Sequence, residues 1–141
     1  MMAHMDQTST PLDLSPAAIA EFEHEWIEAW NAHDLDRILS HYRQDVQFVS
    51  PLAALAGAPQ GKLTGRDALR AYFERGLARY PALHFQPIVA LGGVASIALH
   101  YHAVEEREAI EVMEFDAHGQ VRRAAVHYTP APDNGGRWGT T

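Results

Sequence analysis

Apolar positions along this chain recur first with the period of helices and then with that of strands. Ser15-Pro16 has the form of a helix start, with serine as N-cap and proline in the first turn. Ile19, Phe22, Trp26 and Trp30 follow at spacings of three and four, one face of a helix. The run Asn31 to His33 stops it. Asp34 is placed to cap a second helix, with Asp36 in its first turn. Leu35, Ile38, Leu39 and Tyr42 give that helix its apolar side. The period then shortens. Across Asp45 to Ser50 the residues Val46, Phe48 and Ser50 share one face of a strand, which Pro51 ends. The stretch PLAALAGAPQGKLTG reads as a long, apolar loop, a length common in lids and binding loops. Gly65-Arg66-Asp67 opens a third helix carrying Leu69, Tyr72, Phe73, Leu77 and Tyr80, and Pro81 stops it.

Beyond Pro81 the pattern predicts four strands in a meander. Leu83 to Leu91 is the first, with Pro87 marking an edge or a bulge. Gly92-Gly93 turns the chain into Val94 to Ala103. A turn near Val104 to Glu106 leads into Arg107 to Phe115, and the hairpin turn Asp116 to Gly119 leads into Gln120 to Tyr128. Helices clustered ahead of antiparallel strands predict an α+β fold, helices packed on one face of a curved sheet. Residues 15–128 form the expected single domain. Residues 1–14 are polar and unpatterned and are expected to be loose, and 129–141 form a Pro/Gly-rich tail.

Composition narrows the function classes. The chain has 141 residues, 47% hydrophobic and 21% charged, which suits one globular domain. A formal net charge of −7 argues against a nucleic-acid partner. The absence of cysteine removes disulfides, thiolate nucleophiles and cysteine-based zinc sites. No apolar run is long enough to span a bilayer, and the first residues lack the form of a signal peptide, so a cytoplasmic protein is expected.

Three stretches carry a family resemblance. WIEAWNAHDLDRILSHYRQDVQFVSP, GKLTGRDALRAYFERGL and EAIEVMEFDAHGQVRRAAVHY resemble the opening, the third helix and the final hairpin of the SnoaL-like branch of the nuclear transport factor 2-like superfamily. The resemblance spans roughly Glu21 to Tyr128. It implies a cone-shaped α+β barrel of a mostly antiparallel sheet against three N-terminal helices, with a deep pocket. It also implies a homodimer packed through the sheet. Relatives of this kind include ketosteroid isomerases, polyketide cyclases, limonene-type epoxide hydrolases and non-enzymatic binding or adaptor domains, so the fold alone names no reaction.

Against the ketosteroid isomerase pattern, Glu111 falls where that family keeps a protonated acid. A carboxyl in an apolar pocket has a raised pKa and can donate a proton. In EAIEVMEF, Ala109, Glu111, Met113 and Phe115 share one face, and the other face also carries aliphatics. Two readings therefore stand for Glu111: pocket acid, or an ion pair with Arg107 or Arg123 on a solvated side. Ser50 aligns with the isomerases' catalytic Asp. Serine cannot abstract a carbon-bound proton unaided, which argues against steroid isomerisation and leaves Ser50 a ligand contact or a strand end. Trp26 aligns with their oxyanion-hole tyrosine. Trp26 and Trp30, with Phe48 and Met113, are pocket walls suited to an apolar ligand or ordinary core.

The polyketide cyclases place an acid on the last strand, where this chain reads VRRAAVHY and has none, and His127 or Tyr128 stands nearby instead. Strand alternation turns Tyr128 inward and His127 outward, unless a bulge reverses them. Arg107 and Glu111 fall on one strand face with Ala109 between them, one partner short of the acid–Arg–acid network of the epoxide hydrolases. His100 and His102 share a strand face, with His84 as a further neighbour, but no carboxylate or histidine completes a metal site at a diagnostic spacing. No metal and no cofactor is expected. The reading is a small-molecule pocket for a largely apolar organic ligand. Its chemistry would be isomerisation, dehydration, cyclisation or hydrolysis by Glu111 with His127 or Tyr128. A non-catalytic binding domain or a protein adaptor is the alternative.

Overall fold

Three of the four α-helices described begin on a side chain that caps them. The computed structural model describes residues 14–130. Helix α1 (Pro16–Asn31) starts on Ser15, whose hydroxyl accepts from the Ala18 N–H, and α2 (Leu35–Leu39) starts on Asp34. Helix α2 has five residues and ends before Tyr42, because Ser40 Oγ donates to the Arg37 carbonyl and His41 O accepts from Val121 N at 2.8 Å. That contact draws the chain into the sheet. Strand β1 therefore runs Tyr42–Val49, and Tyr42 lies in it rather than on the helix.

The stretch expected as an open loop is structured. Ser50 caps a short helix α3 (Pro51–Leu55), a 3-10 turn follows at Pro59–Gly61, and β2 (Lys62–Thr64) returns antiparallel to β1. Gly61 has φ +70°, and a Cβ there would stand 2.5 Å from the Ser50 carbonyl oxygen, so only glycine lets the turn close. Then come α4 (Arg66–Arg79), β3 (Gln86–Gly92), β4 (Ser96–His102), β5 (Glu108–Phe115) and β6 (Val121–Tyr128).

The sheet has six strands in the order β2-β1-β6-β5-β4-β3. The meander pairs antiparallel as expected, while β1 pairs parallel with β6 and makes the sheet mixed. Two expectations are corrected here. Four α-helices are present among the described residues instead of three, and the curved sheet does not close into a barrel, since β2 and β3 remain as edges.

One sheet face is apolar by alternation and faces the helices. Ile97, Leu99 and Tyr101 of β4, Ala109, Met113 and Phe115 of β5, and Val121, Ala124 and Val126 of β6 join Trp26, Trp30, Ile38, Leu39, Leu69 and Phe73 in a single core. The loose N-terminus and tail expected from the sequence fall mostly outside the described residues. Leu14, however, packs against the core, and Thr129 continues the ladder, its N–H donating to Glu108 O at 2.8 Å. Among the described residues no helix is long and apolar enough to cross a membrane.

Candidate functional site

The corner between α1 and α2 builds the aromatic end of a cavity. His33 sits in the left-handed region, φ 56°, and turns the chain sharply after Asn31. The Asn31 side chain then clasps the backbone of Phe85, accepting from its N–H at 2.6 Å and donating to its carbonyl at 2.9 Å. His33 Nε2 donates to the Leu83 carbonyl at 2.9 Å. These bonds hold the lead-in to β3 against α1. Phe85 is thereby stacked on Trp26 (centroids 5.9 Å apart, planes 18°) and tilted on Trp30 at 5.3 Å. From α4, Phe73 meets Trp30 edge-on at 4.7 Å.

The cavity lies between this aromatic wall and the sheet. Its walls include Trp26, Trp30, Phe48, Tyr72, Phe73, Tyr80, Phe85, Tyr101 and Tyr128, with Leu52, Leu83, Val104 and Val126 between them. Glu111 is the one carboxyl among its lining residues, which contain no lysine, arginine or histidine. The volume is about 70 Å³. An apolar cavity of roughly 150 Å³ takes up benzene. The space therefore suits a compact group of few heavy atoms, and a polycyclic molecule would have to extend through its open side.

Glu111 is 3% exposed, between Leu99 and Val126 in the sheet. Its Oε1 accepts from the Tyr101 hydroxyl at 2.9 Å. Burial pushes its pKa up to about 7 from an ordinary 4.5, against a smaller lowering by the Tyr101 hydrogen bond. A carboxyl of this kind exchanges its proton near neutrality, which suits general acid–base work.

Hydroxyls surround the carboxyl. Tyr42, wholly buried, accepts from Trp26 Nε1 at 3.1 Å. Burial, and then the nearby Glu111 charge, hold the pKa of Tyr42 and of Tyr101 well above the usual tyrosine value. Tyr128 is raised in the same sense by burial, then by Tyr72 and Glu111. Burial also raises Tyr72, and the nearby Ser50 hydroxyl opposes the shift at both Tyr72 and Tyr128. These tyrosines stay protonated through neutral pH and act as neutral donors.

Of the residues singled out in the sequence, Trp26, Trp30, Phe48, Glu111 and Tyr128 meet at the cavity. Ser50 and Met113 are buried behind its wall. Ser50 caps α3, its Oγ accepting from Leu52 N at 3.1 Å. His127 is exposed on the outer sheet face, opposite Ile110, because β6 keeps its alternation there; it does not reach the cavity. Arg107 is buried, but it pairs with Glu105 at 3.3 Å and donates to the Thr129 carbonyl, not to Glu111. Arg123 pairs with Glu114 at 3.6 Å, so neither arginine is the ion partner of Glu111. His100 faces outward with Nε2 2.8 Å from Glu108, and no cluster of three metal-ligating side chains occurs among the described residues.

Tyr101, Phe85 and Tyr72 line the cavity and Tyr42 lies against Trp26, and none of the four stands out in the sequence as a chemical group. Tyr101 carried a usable signal: it shares the inward alternation of Ile97 and Leu99, opposite His100 and His102.

Fold and site together define an α+β domain whose helices and curved sheet enclose an aromatic-walled cavity with one carboxyl among its lining residues. The SnoaL-like domain model matches residues 24–138, and the chain belongs to that family, within the nuclear transport factor 2-like superfamily. A SnoaL-like protein of unknown function from Burkholderia thailandensis is 41% identical, with a TM-score of 0.80 over 84% of this chain and 100% of its own. A putative isomerase of the SnoaL-like family from Agrobacterium tumefaciens shares the fold at 13% identity, TM-score 0.65, over 81% of this chain and 99% of its own. The epoxide hydrolase/cyclase-like enzyme SalBIII, of pyran ring formation in salinomycin, shares it at 18% identity, TM-score 0.63, over 79% of this chain and 90% of its own. No curated protein matches the chain.

Proposed function

We propose that the chain is an enzyme of acid–base chemistry on a small, largely apolar organic molecule, with Glu111 as the group that moves the proton. The observation that carries this reading is a single carboxyl, 3% exposed and titrating at about 7, on the wall of an aromatic cavity. A structural glutamate gains nothing from such a position, since desolvation opposes its charge. Tyr101 orients the carboxyl through Oε1. Tyr128 is the neutral donor on the neighbouring strand that can hold an oxygen of the substrate. Trp26, Trp30 and Phe48 exclude water. Isomerisation, dehydration, cyclisation and ring-opening hydrolysis all use such a group.

Exchange of the α-protons of cyclopentanone in deuterated water tests the reading with a compact probe. The carboxylate takes the proton from carbon, the enolate oxygen is held by a hydroxyl, and deuterium returns to the same carbon. Exchange above background is expected to rise with pH through about 7. It should fall by about 10²-fold or more in Glu111→Gln. Background exchange in the wild type, with cyclopentanone still bound, would make the protein a ligand carrier instead.

We propose also that a second copy covers the outer sheet face. Ala98, Val112 and Ala125 form an apolar row across β4, β5 and β6, beside Ile110 at 44% exposure. Sedimentation equilibrium is expected to give twice the 15.6 kDa chain mass. A single-chain mass at micromolar concentration would reject the pairing.

A further inference from the structure

The reading of Glu111 as the working group of the cavity leaves the class of ligand open, and the walls bear on it. We propose that the cavity takes a compact organic cation: an alkylated ammonium head, held between the aromatic faces and the Glu111 carboxylate. Nine of the fifteen lining residues are aromatic: Trp26, Trp30, Phe48, Tyr72, Phe73, Tyr80, Phe85, Tyr101 and Tyr128. Ring faces carry negative potential and attract cations, tryptophan most strongly. The same set includes no cationic side chain to receive an anion. An anionic substrate would meet the Glu111 charge with nothing to offset it. A neutral apolar ligand would fit the rings but would leave the buried carboxylate uncompensated against hydrocarbon. An alkylammonium satisfies both, because its methyl groups fill the aromatic space and its charge neutralises the carboxylate.

A cavity of about 70 Å³ is about half the roughly 150 Å³ that takes up benzene, so it admits the methyl groups of such a head while the rest of the ligand lies at its open side. The surroundings of the carboxyl leave the role to Glu111 alone. Strand β4 presents Tyr101, β6 presents Val126 and Tyr128, β1 presents Tyr42 and α4 presents Tyr72, none of them charged at neutral pH. Arg107, on the same strand side, is paired with Glu105. A cationic head next to the reacting carbon also acidifies its C–H bond, so this ligand class is compatible with a carboxylate base.

Choline and its uncharged isostere 3,3-dimethylbutan-1-ol test the proposal, because they differ in charge and hardly in shape. The charge of choline does not titrate, so any pH dependence belongs to the protein. With a carboxyl titrating at about 7, roughly nine-tenths is ionised at pH 8 and a few per cent at pH 5.5. Calorimetric titration of the full chain is expected to show choline bound more tightly than the isostere at pH 8. Choline affinity should weaken by up to about 30-fold at pH 5.5, the ratio of those ionised fractions. The isostere should bind alike at both pH values, and Glu111→Gln should bind choline without pH dependence. Isostere binding equal to or tighter than choline at pH 8 would overturn the proposal, as would no binding of either. A choline preference that survives both low pH and Glu111→Gln would also overturn it. Cyclopentanone exchange separates the two readings: if it persists in a protein that ignores choline, the acid–base role stands and the cationic class falls.

Discussion

Replacing Glu111 by glutamine is expected to make the protein more stable at pH 8, by about 2–3 kcal/mol. The carboxyl titrates at about 7 in the folded chain against an ordinary 4.5 when unfolded. A gap of that size corresponds to about 3 kcal/mol that the folded state loses when the group is ionised. The sign follows from proton counting. Between pH 4.5 and 7 the folded chain binds more protons at this position than the unfolded chain, so stability falls as pH rises. Below the lower value the contribution is fully present, and above the upper one the loss is complete. Glutamine keeps the shape and still accepts the Tyr101 hydroxyl, but has no charge to desolvate. Urea melts at pH 4, 6 and 8 should show the wild type weakening across the series relative to the variant. The melting temperature of Glu111→Gln should exceed the wild type's by roughly 5–10 °C at pH 8. A variant less stable than wild type at pH 8 would mean that Glu111 is a structural anchor. A gain in stability on removing a functional group is the usual sign that its site is strained for chemistry.

Trp26→Ala is expected to have the largest destabilising effect in the chain. Trp26 is 1% exposed and lines the cavity. It stacks on Phe85, meets Tyr101 edge-on at 5.2 Å, and donates from Nε1 to the buried Tyr42 hydroxyl. Truncation removes a large apolar area and leaves that hydroxyl without its donor, which together cost about 3–5 kcal/mol. Against the 5–15 kcal/mol of a typical domain this is a large fraction. Trp26→Phe should lose roughly half as much, since the ring contacts survive and the N–H does not. Chemical denaturation measures both. A loss below about 1 kcal/mol for Trp26→Ala would mean that Trp26 lines a plastic surface instead of completing the core.

How far the sequence could be read depended on how local each signal was. The face Ile19, Phe22, Trp26, Trp30 belongs to one helix and one period, and it survives intact. Tyr42 was misplaced because it continues the spacing of Leu35, Ile38 and Leu39; what ends α2 is the bond between His41 and Val121, eighty residues apart. The parallel pairing of β1 with β6 is of the same kind and leaves no trace in turn residues. Helix α3 was legible in principle, since Ser50-Pro51 repeats the Ser-Pro start that marks α1. The apolar character of PLAALAGAPQ outweighed it. At the site, period-two alternation placed Tyr128 on the inward face and His127 on the outward one, but it left Glu111 open, because both faces of EAIEVMEF carry apolar side chains. It could not report that Tyr101 faces Glu111 across the strands, because that depends on the β4–β5 register.

Titration of the Glu111 carboxyl by carbon-13 NMR, on protein labelled at the glutamate side-chain carboxyl, tests the account most directly. Comparison with Glu111→Gln assigns its resonance. A midpoint near 7, well apart from the other glutamates, is the predicted result. A midpoint at the ordinary 4.5 would show a solvated carboxylate, and both the acid–base role and the cation site would fall with it.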